Sequence, residues 1–259
     1  MKAILRKIYY WGLSSKADFQ KNQRIIRDVE WNQVVEFIPT HSKFLDIGCG
    51  TGYSMSRAIE DRKCECLGID PVPNFAGVEH RLQNVSDASY RIERGVAESI
   101  PTDADSFDVV YSSHVLEHVQ DENKALKEMI RVVKQGGTII IGVPTSTMAL
   151  IRLFSTLLFE THRNLIAILL WPFKPSIRVD RRFLDLIVPP SHGQPNRTIL
   201  FDLLHYRVDS WRKLISTHLT IERVLHPALY PFPDYKQLFK LRTMKNYGSS
   251  VFFICKAHK

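Results

Sequence analysis

The sequence predicts an α/β fold built on a mostly parallel sheet. Three observations carry the prediction. Short apolar runs alternate with helical stretches from residue 43 to 143, a glycine-rich turn joins the first run to the first of these helices, and an acidic residue closes the second run. With 259 residues, the chain is long enough for one large α/β domain with an insertion, and we read it as a single domain, 1–259.

The elements follow in order. Residues 1–42 read as an N-terminal helical extension. Its start, MKAILRKIYYWGLSSK, lacks the uninterrupted apolar stretch of a signal peptide because Lys2, Arg6 and Lys7 break it. KFLDIG is a buried strand and GYSMSRAIED a helix; ECLGID and YRIERG are the second and third strands. FDVVYSS is the fourth. ENKALKEMIRVVKQGG reads as a helix with lysine in its last turn and glycine just beyond, and TIIIGVP as the fifth strand. After Pro144 the alternation stops. Residues 145–208 hold the apolar helical stretch TMALIRLFSTLLFETHRNLIAILLWPF, the basic run KPSIRVDRRF and the loop VPPSHGQPNRT. In residues 209–259 a helix resumes at DSWRKLISTHL, with Asp209 or Ser210 as its expected N-cap, and LTIERVL and SSVFFICKA supply two late strands. The insertion therefore lies inside the domain.

The glycine loop narrows the ligand. A glycine turn between strand and helix lets a ligand approach the backbone closely and presents helix N-terminal N–H groups. The dinucleotide pattern would place its third glycine at 53, where Tyr53 stands, and no Gly-Lys-Ser/Thr follows for a nucleoside triphosphate. What is present is D-x-G-x-G-x-G: Asp46, Gly48, Gly50 and Gly52, with Asp70 ending the next strand. A carboxylate at that strand tip suits two ribose hydroxyls. Asp46, an anion beside the loop, disfavours a pyrophosphate and suits a cationic ligand such as an amine or sulfonium.

With FLDIGCGTG, GIDPV, GVAESIPTDADSFDVVYSSHVLEHVQD and ALKEMIRVVKQGGTIIIGVP in order, residues 43–144 resemble a class I S-adenosylmethionine-dependent methyltransferase of the small-molecule, methyltransferase type 11-like branch. The resemblance implies a Rossmann-like, doubly wound sheet of seven strands, mostly parallel with an antiparallel last strand, and a largely helical insertion after strand 5. Segment 43–144 would be the core that binds S-adenosyl-L-methionine. The resemblance places the methionine part of the cofactor on Asp46, Gly48, Cys49, Gly50 and Gly52. It places the ribose on Asp70, the adenine along Pro71 and Val72 with its edge at Ala97 and Glu98, and the sulfonium before Ser112, Ser113 and His114. Glu117 and His118 are expected to orient a helix.

Methyl transfer to a hydroxyl needs a base, and His114, His192 and His205 are the candidates. The insertion follows the fifth strand, where ligands enter open α/β sheets, so it is expected to form the acceptor side as a lid, or to lie on a membrane. Its charge-free runs are shorter than the ~20 residues of a membrane span. Trp171, Phe173, Lys174, Arg178, Arg181 and Arg182 could meet an anionic surface, aided by Ile4, Leu5, Ile8, Tyr9 and Trp11. Charge supports such a surface. Residues 32–144 carry 11 basic and 17 acidic groups, whereas the flanking segments are basic, for a net +8.

The expected acceptor is a small or lipid-linked molecule. Nucleic acid is the weaker option because no RNA-binding module is visible. A non-catalytic cofactor-binding or membrane-associated adaptor is the alternative class. Four cysteines without C-x-x-C spacing point to a cytoplasmic setting and to no metal site, with a peripheral membrane location the further option. Oligomeric state leaves no mark on the sequence.

Overall fold

The apolar runs of the sequence become neighbours in one sheet. The computed structural model describes residues 15–83, 90–159, 188–230 and 247–257. Helix α1 (Lys16–Val34) opens with a reciprocal cap, in which the Ser15 hydroxyl accepts from the Asp18 N–H and the Asp18 carboxylate accepts from Ser15. Then come β1 (Lys43–Ile47), α2 (Tyr53–Arg62), β2 (Glu65–Asp70), α3 (Phe75–Leu82), β3 (Tyr90–Arg94), β4 (Phe107–Ser113) and α4 (Glu122–Val132). The chain continues through β5 (Val133–Pro144), α5 (Ser146–Phe159), α6 (Ile199–His205), α7 (Val208–Ser216), β6 (Leu219–Leu225) and β7 (Ser250–Ala257).

The seven strands lie in the order β3-β2-β1-β4-β5-β7-β6. β1 to β5 pair in parallel, and β7 runs antiparallel to both β5 and β6. That is the doubly wound seven-stranded arrangement expected, with its antiparallel last strand.

Alternation along the strands divides the core in two. Phe44, Tyr111, Ile140 and Phe252 face Trp31 and Val34 of α1, Met55 and Ile59 of α2, and Val78 and Leu82 of α3. Leu45, Val110, Ile139 and Phe253 face the other way, onto Leu126 and Met129 of α4 and Trp211 and Ile215 of α7. Each fully buried Leu, Ile or Phe contributes about 1.5–3 kcal/mol, so both faces anchor the strand tips that carry the site.

Two local expectations are corrected. Helix α4 ends at Val132 rather than at the glycines: Val133 is extended and pairs with Phe107, so pairing to β4 ends the helix before Gly136 can cap it. Lys134 instead pairs with Asp108 at 2.7 Å. Helix α7 begins at Val208 with Arg207 as N-cap, which puts Asp209 in the first turn, where a carboxylate favours the positive helix end. Of the long apolar stretch, α5 accounts for the part up to Phe159, while the run from Trp171 to Arg182 and the N-terminal apolar residues lie outside the described residues. No described helix is long and apolar enough to cross a membrane.

Candidate active site

At the carboxyl tips of β1 and β4 a cavity of about 520 Å³ opens between the glycine loop and α1. Asp46, Gly48, Cys49, Gly50 and Ser113 line it, together with Gln20, Arg24 and Arg27 of α1 and Arg81 of α3. Gly52, at φ +72°, caps α2 with its Cα against Val78, where an added Cβ would come within 2.8 Å of a methyl. Gly50, at φ +52°, has nothing within 4 Å of the position a Cβ would take, so the loop presents bare backbone. Asp70 fixes that backbone: its carboxylate accepts from Gly50 N–H at 3.1 Å and from Val72 N–H at 2.8 Å. Pro71 is exposed and Val72 is 77% exposed, consistent with a surface that an aromatic ring could cover.

Asp46 is buried, and its Oδ2 accepts no hydrogen bond among the described residues. Burial pushes its pKa up to about 8, the Asp70 charge adds to the rise, and Arg27 opposes it. An orphaned buried carboxyl beside an open backbone cradle fits a ligand bearing an ammonium or sulfonium charge. Burial also pushes the Cys49 thiol up to about 12, so it is present as a neutral group. Ala97 is buried and Glu98 accepts from Gln120 N–H at 2.8 Å, which ties the loop after β3 to the loop after β4; neither lines the cavity. Ser112 is fully buried with its hydroxyl unpartnered among the described residues, while Ser113 accepts from Arg27 at 3.4 Å.

The three histidines occupy different settings. His114, at φ 57°, lies between two buried carboxylates, with Nε2 3.0 Å from Glu30 Oε1 and Nδ1 3.6 Å from Glu117 Oε1. Burial works against its charge, yet the two carboxylates win and hold its pKa well above the usual imidazole range. Glu30 is held below the usual carboxylate range: burial opposes its ionisation, but His114 and Arg27 outweigh that. His114 is therefore a buried cation in an ion pair. His192 is pushed down to about 4 by burial, remains neutral near pH 7, and places its ring 5.3 Å from that of His118. His205 is exposed on α6 and stacked on Phe201 at 3.9 Å.

The comparisons agree with this geometry. A family model described as a methyltransferase domain matches residues 45–141. Over that segment the chain is similar to the class I S-adenosylmethionine-dependent methyltransferases. An uncharacterized methyltransferase of Bacillus subtilis is 30% identical to this chain over 139 residues, covering 50% of this chain and 54% of the relative. A ubiquinone biosynthesis O-methyltransferase of Pseudomonas entomophila is 31% identical over 131 residues, covering 42% and 55%. The chain thus spans about half the length of these curated relatives. The solved structure of a methyltransferase from Thermotoga maritima superposes with a TM-score of 0.51 at 18% identity, covering 91% of this chain and 97% of that one, and shows the shared fold.

Sequence reasoning missed what α1 brings. Arg27 and Glu30, one helical turn apart, look like an exposed charge pair in a polar helix; only the tertiary fold turns them onto Asp46, Ser113 and His114.

Proposed function

We propose that the chain transfers a methyl group from S-adenosylmethionine to a small or lipid-linked acceptor, at a hydroxyl. The carrying observation is the buried, unpartnered Asp46 carboxyl beside the open backbone of Gly50. When bound, the cofactor supplies a methyl group on a positively charged sulfur. Asp46 would meet its amino group, Asp70 its ribose, and the Gly48–Gly52 loop its carboxylate side. The α1 residues Gln20, Arg24 and Arg27 would close the cavity against water, which favours an in-line displacement that needs alignment more than acid–base help.

The acceptor would enter between β4's tip and the 145–208 insertion. A protonated, doubly ion-paired His114 positions this loop rather than taking a proton, and His205 faces away into solvent; His192, neutral and beside Glu117 and His118, is the candidate that remains on the acceptor side. An O-methyltransferase among the relatives supports an oxygen acceptor. The exposed apolar residues of α5 and α6 support one that is lipid-linked.

The test is calorimetric titration with S-adenosylmethionine and S-adenosylhomocysteine, followed by methyl-labelled metabolite and lipid extracts incubated with the protein. One binding site and label transfer to a hydroxyl compound are expected. Binding without transfer to any extract would favour a cofactor-binding adaptor, and tighter binding of NAD would overturn the cofactor assignment. His192→Ala is expected to lower turnover while leaving cofactor affinity unchanged.

A further inference from the structure

Beside the cofactor cavity, the loop after β4 and the loop before α6 bring together Glu117, His118 and His192. One carboxylate oxygen and one ring nitrogen from each histidine all lie within 4.8 Å of one another. We infer that these three residues form a binding site for a divalent first-row transition-metal ion that receives the acceptor oxygen.

The carboxylate gives the independent evidence. Glu117 has a completely buried side chain, and neither of its oxygens takes a hydrogen bond among the described residues. The imidazole nitrogens nearest to it, His114 Nδ1 at 3.6 Å and His118 Nε2 at 3.9 Å, stand beyond hydrogen-bond distance. With His114 as its ion-pair partner but no hydrogen bond to either oxygen, the buried Glu117 carboxylate keeps lone pairs that a further ligand can complete. Two imidazoles and one carboxylate are a donor set suited to first-row divalent ions, and three ligands leave positions open. Ligands at about 2.1 Å from one ion stand at most about 4.2 Å apart, so closing onto an ion requires side-chain shifts below about 1 Å.

The frame holding the donors is already set. Gln194 Nε2 donates to Glu117 O at 2.9 Å, His118 N–H donates to Val115 O at 2.8 Å, and His192 N–H donates to the Asp202 carboxylate at 2.8 Å. Gly193 presses so closely on Glu117 O that an added Cβ would stand 2.3 Å from it. Glu117 is inaccessible, whereas His118 is 46% exposed, so an ion can enter from the solvent side.

This inference deepens the hydroxyl reading and rests on it, with His192 holding the ion rather than taking the proton itself. An acceptor hydroxyl on the ion loses its proton to water more readily, because a divalent ion stabilises the resulting oxyanion. The oxygen lone pair then forms the new oxygen–carbon bond as the carbon–sulfur bond breaks, and the bonding pair stays on sulfur as a neutral thioether. No oxidant or reductant is involved.

Co(II) is the probe for the test, titrated into the metal-stripped full-length protein and read by its visible absorption and by calorimetry, with Zn(II) and Mn(II) as competitors. The wild type is expected to bind one Co(II). His118→Ala and His192→Ala are expected to weaken binding by at least about tenfold, and His80→Ala, on α3, is expected to have no effect. His118 is partly exposed, so its replacement tests the site without disturbing the core. Absence of Co(II) binding by the wild type, or equal binding by both histidine variants, overturns the site. S-adenosylhomocysteine affinity, measured on the same samples, separates the readings: its loss in the wild type would refute the methyltransferase proposal, whereas its retention without metal binding refutes the metal site alone.

Discussion

Asp46 couples the glycine-loop cavity to pH. In the uncomplexed protein, burial keeps it protonated up to about pH 8, well above its ordinary value of 3.8. The folded state therefore holds a proton that the unfolded chain releases, so this residue's contribution to stability falls as pH rises from about 4 through about 8. A ligand ammonium placed against Oδ2 would draw the carboxyl into its ionised form and release that proton. S-adenosylmethionine affinity is thus expected to strengthen as pH approaches about 8 and then level off, with proton release visible when calorimetry is repeated in buffers of different ionisation enthalpy. Asp46→Asn should flatten the profile, and a pH-independent wild type would contradict the assignment. Asp70 acts differently, because it already holds the Gly50 and Val72 amides. Asp70→Ala is expected to cost about 1–3 kcal/mol of cofactor binding, through lost charge-assisted hydrogen bonds and a released loop, and calorimetry reads that directly.

Helix α1 ties distant parts of the fold to the site through one carboxylate. Glu30 Oε1 lies 3.0 Å from His114 Nε2 and accepts from Tyr230 Oη at 2.8 Å and Ser250 Oγ at 2.7 Å, so the tip of β4, the chain after β6 and the start of β7 meet on it. Removing one member of a buried ion pair leaves the other charge stranded. Glu30→Ala is expected to destabilise the fold by about 3–5 kcal/mol, read as a lowered denaturation midpoint. The Glu30→Ala, His114→Ala double variant should lose less than the sum of the two single losses, and strict additivity would disprove the coupling. This node also marks where sequence reading stops. The strands and the glycine loop announce themselves over a few residues, because alternation and left-handed turns are local. The partners of Glu30 are separated from it by 84, 200 and 220 positions, and no spacing along the chain foretells them. His114 illustrates the difference: its place after β4 could be read from the motif, but its ion pairing, which fixes its charge, comes from α1. The meeting of His192 with Glu117 and His118 is hidden for the same reason, and Gly136 failed as a helix cap because Val133 pairs with a strand rather than continuing its own helix.

At the scale of the molecule, two neighbouring helices after β5 expose an apolar surface. Helix α5 exposes Leu150, Phe154, Leu157 and Leu158, and α6, packed beside it, exposes Leu200 and Leu204. Such a cluster on two neighbouring helices is more than the scattered apolar residues of an ordinary surface. The segment that follows α5 carries Lys174, Arg178, Arg181 and Arg182, outside the described residues but near in the chain. We propose that the protein attaches peripherally to an anionic lipid surface, from which a lipid-linked acceptor would reach the tip of β4 without leaving the membrane. Basic side chains near such a surface contribute about 1 kcal/mol each and fade with salt, whereas apolar insertion persists. The protein is therefore expected to sediment with anionic vesicles and to lose only part of that binding at high salt. Replacing Arg178, Arg181 and Arg182 by Glu should remove the salt-sensitive part, and Phe154→Ser with Leu158→Ser should remove the remainder while cofactor affinity stays unchanged. A protein that stays in the supernatant with anionic and neutral vesicles alike, even at low salt, would move the acceptor to a soluble metabolite and leave α5 and α6 as a lid.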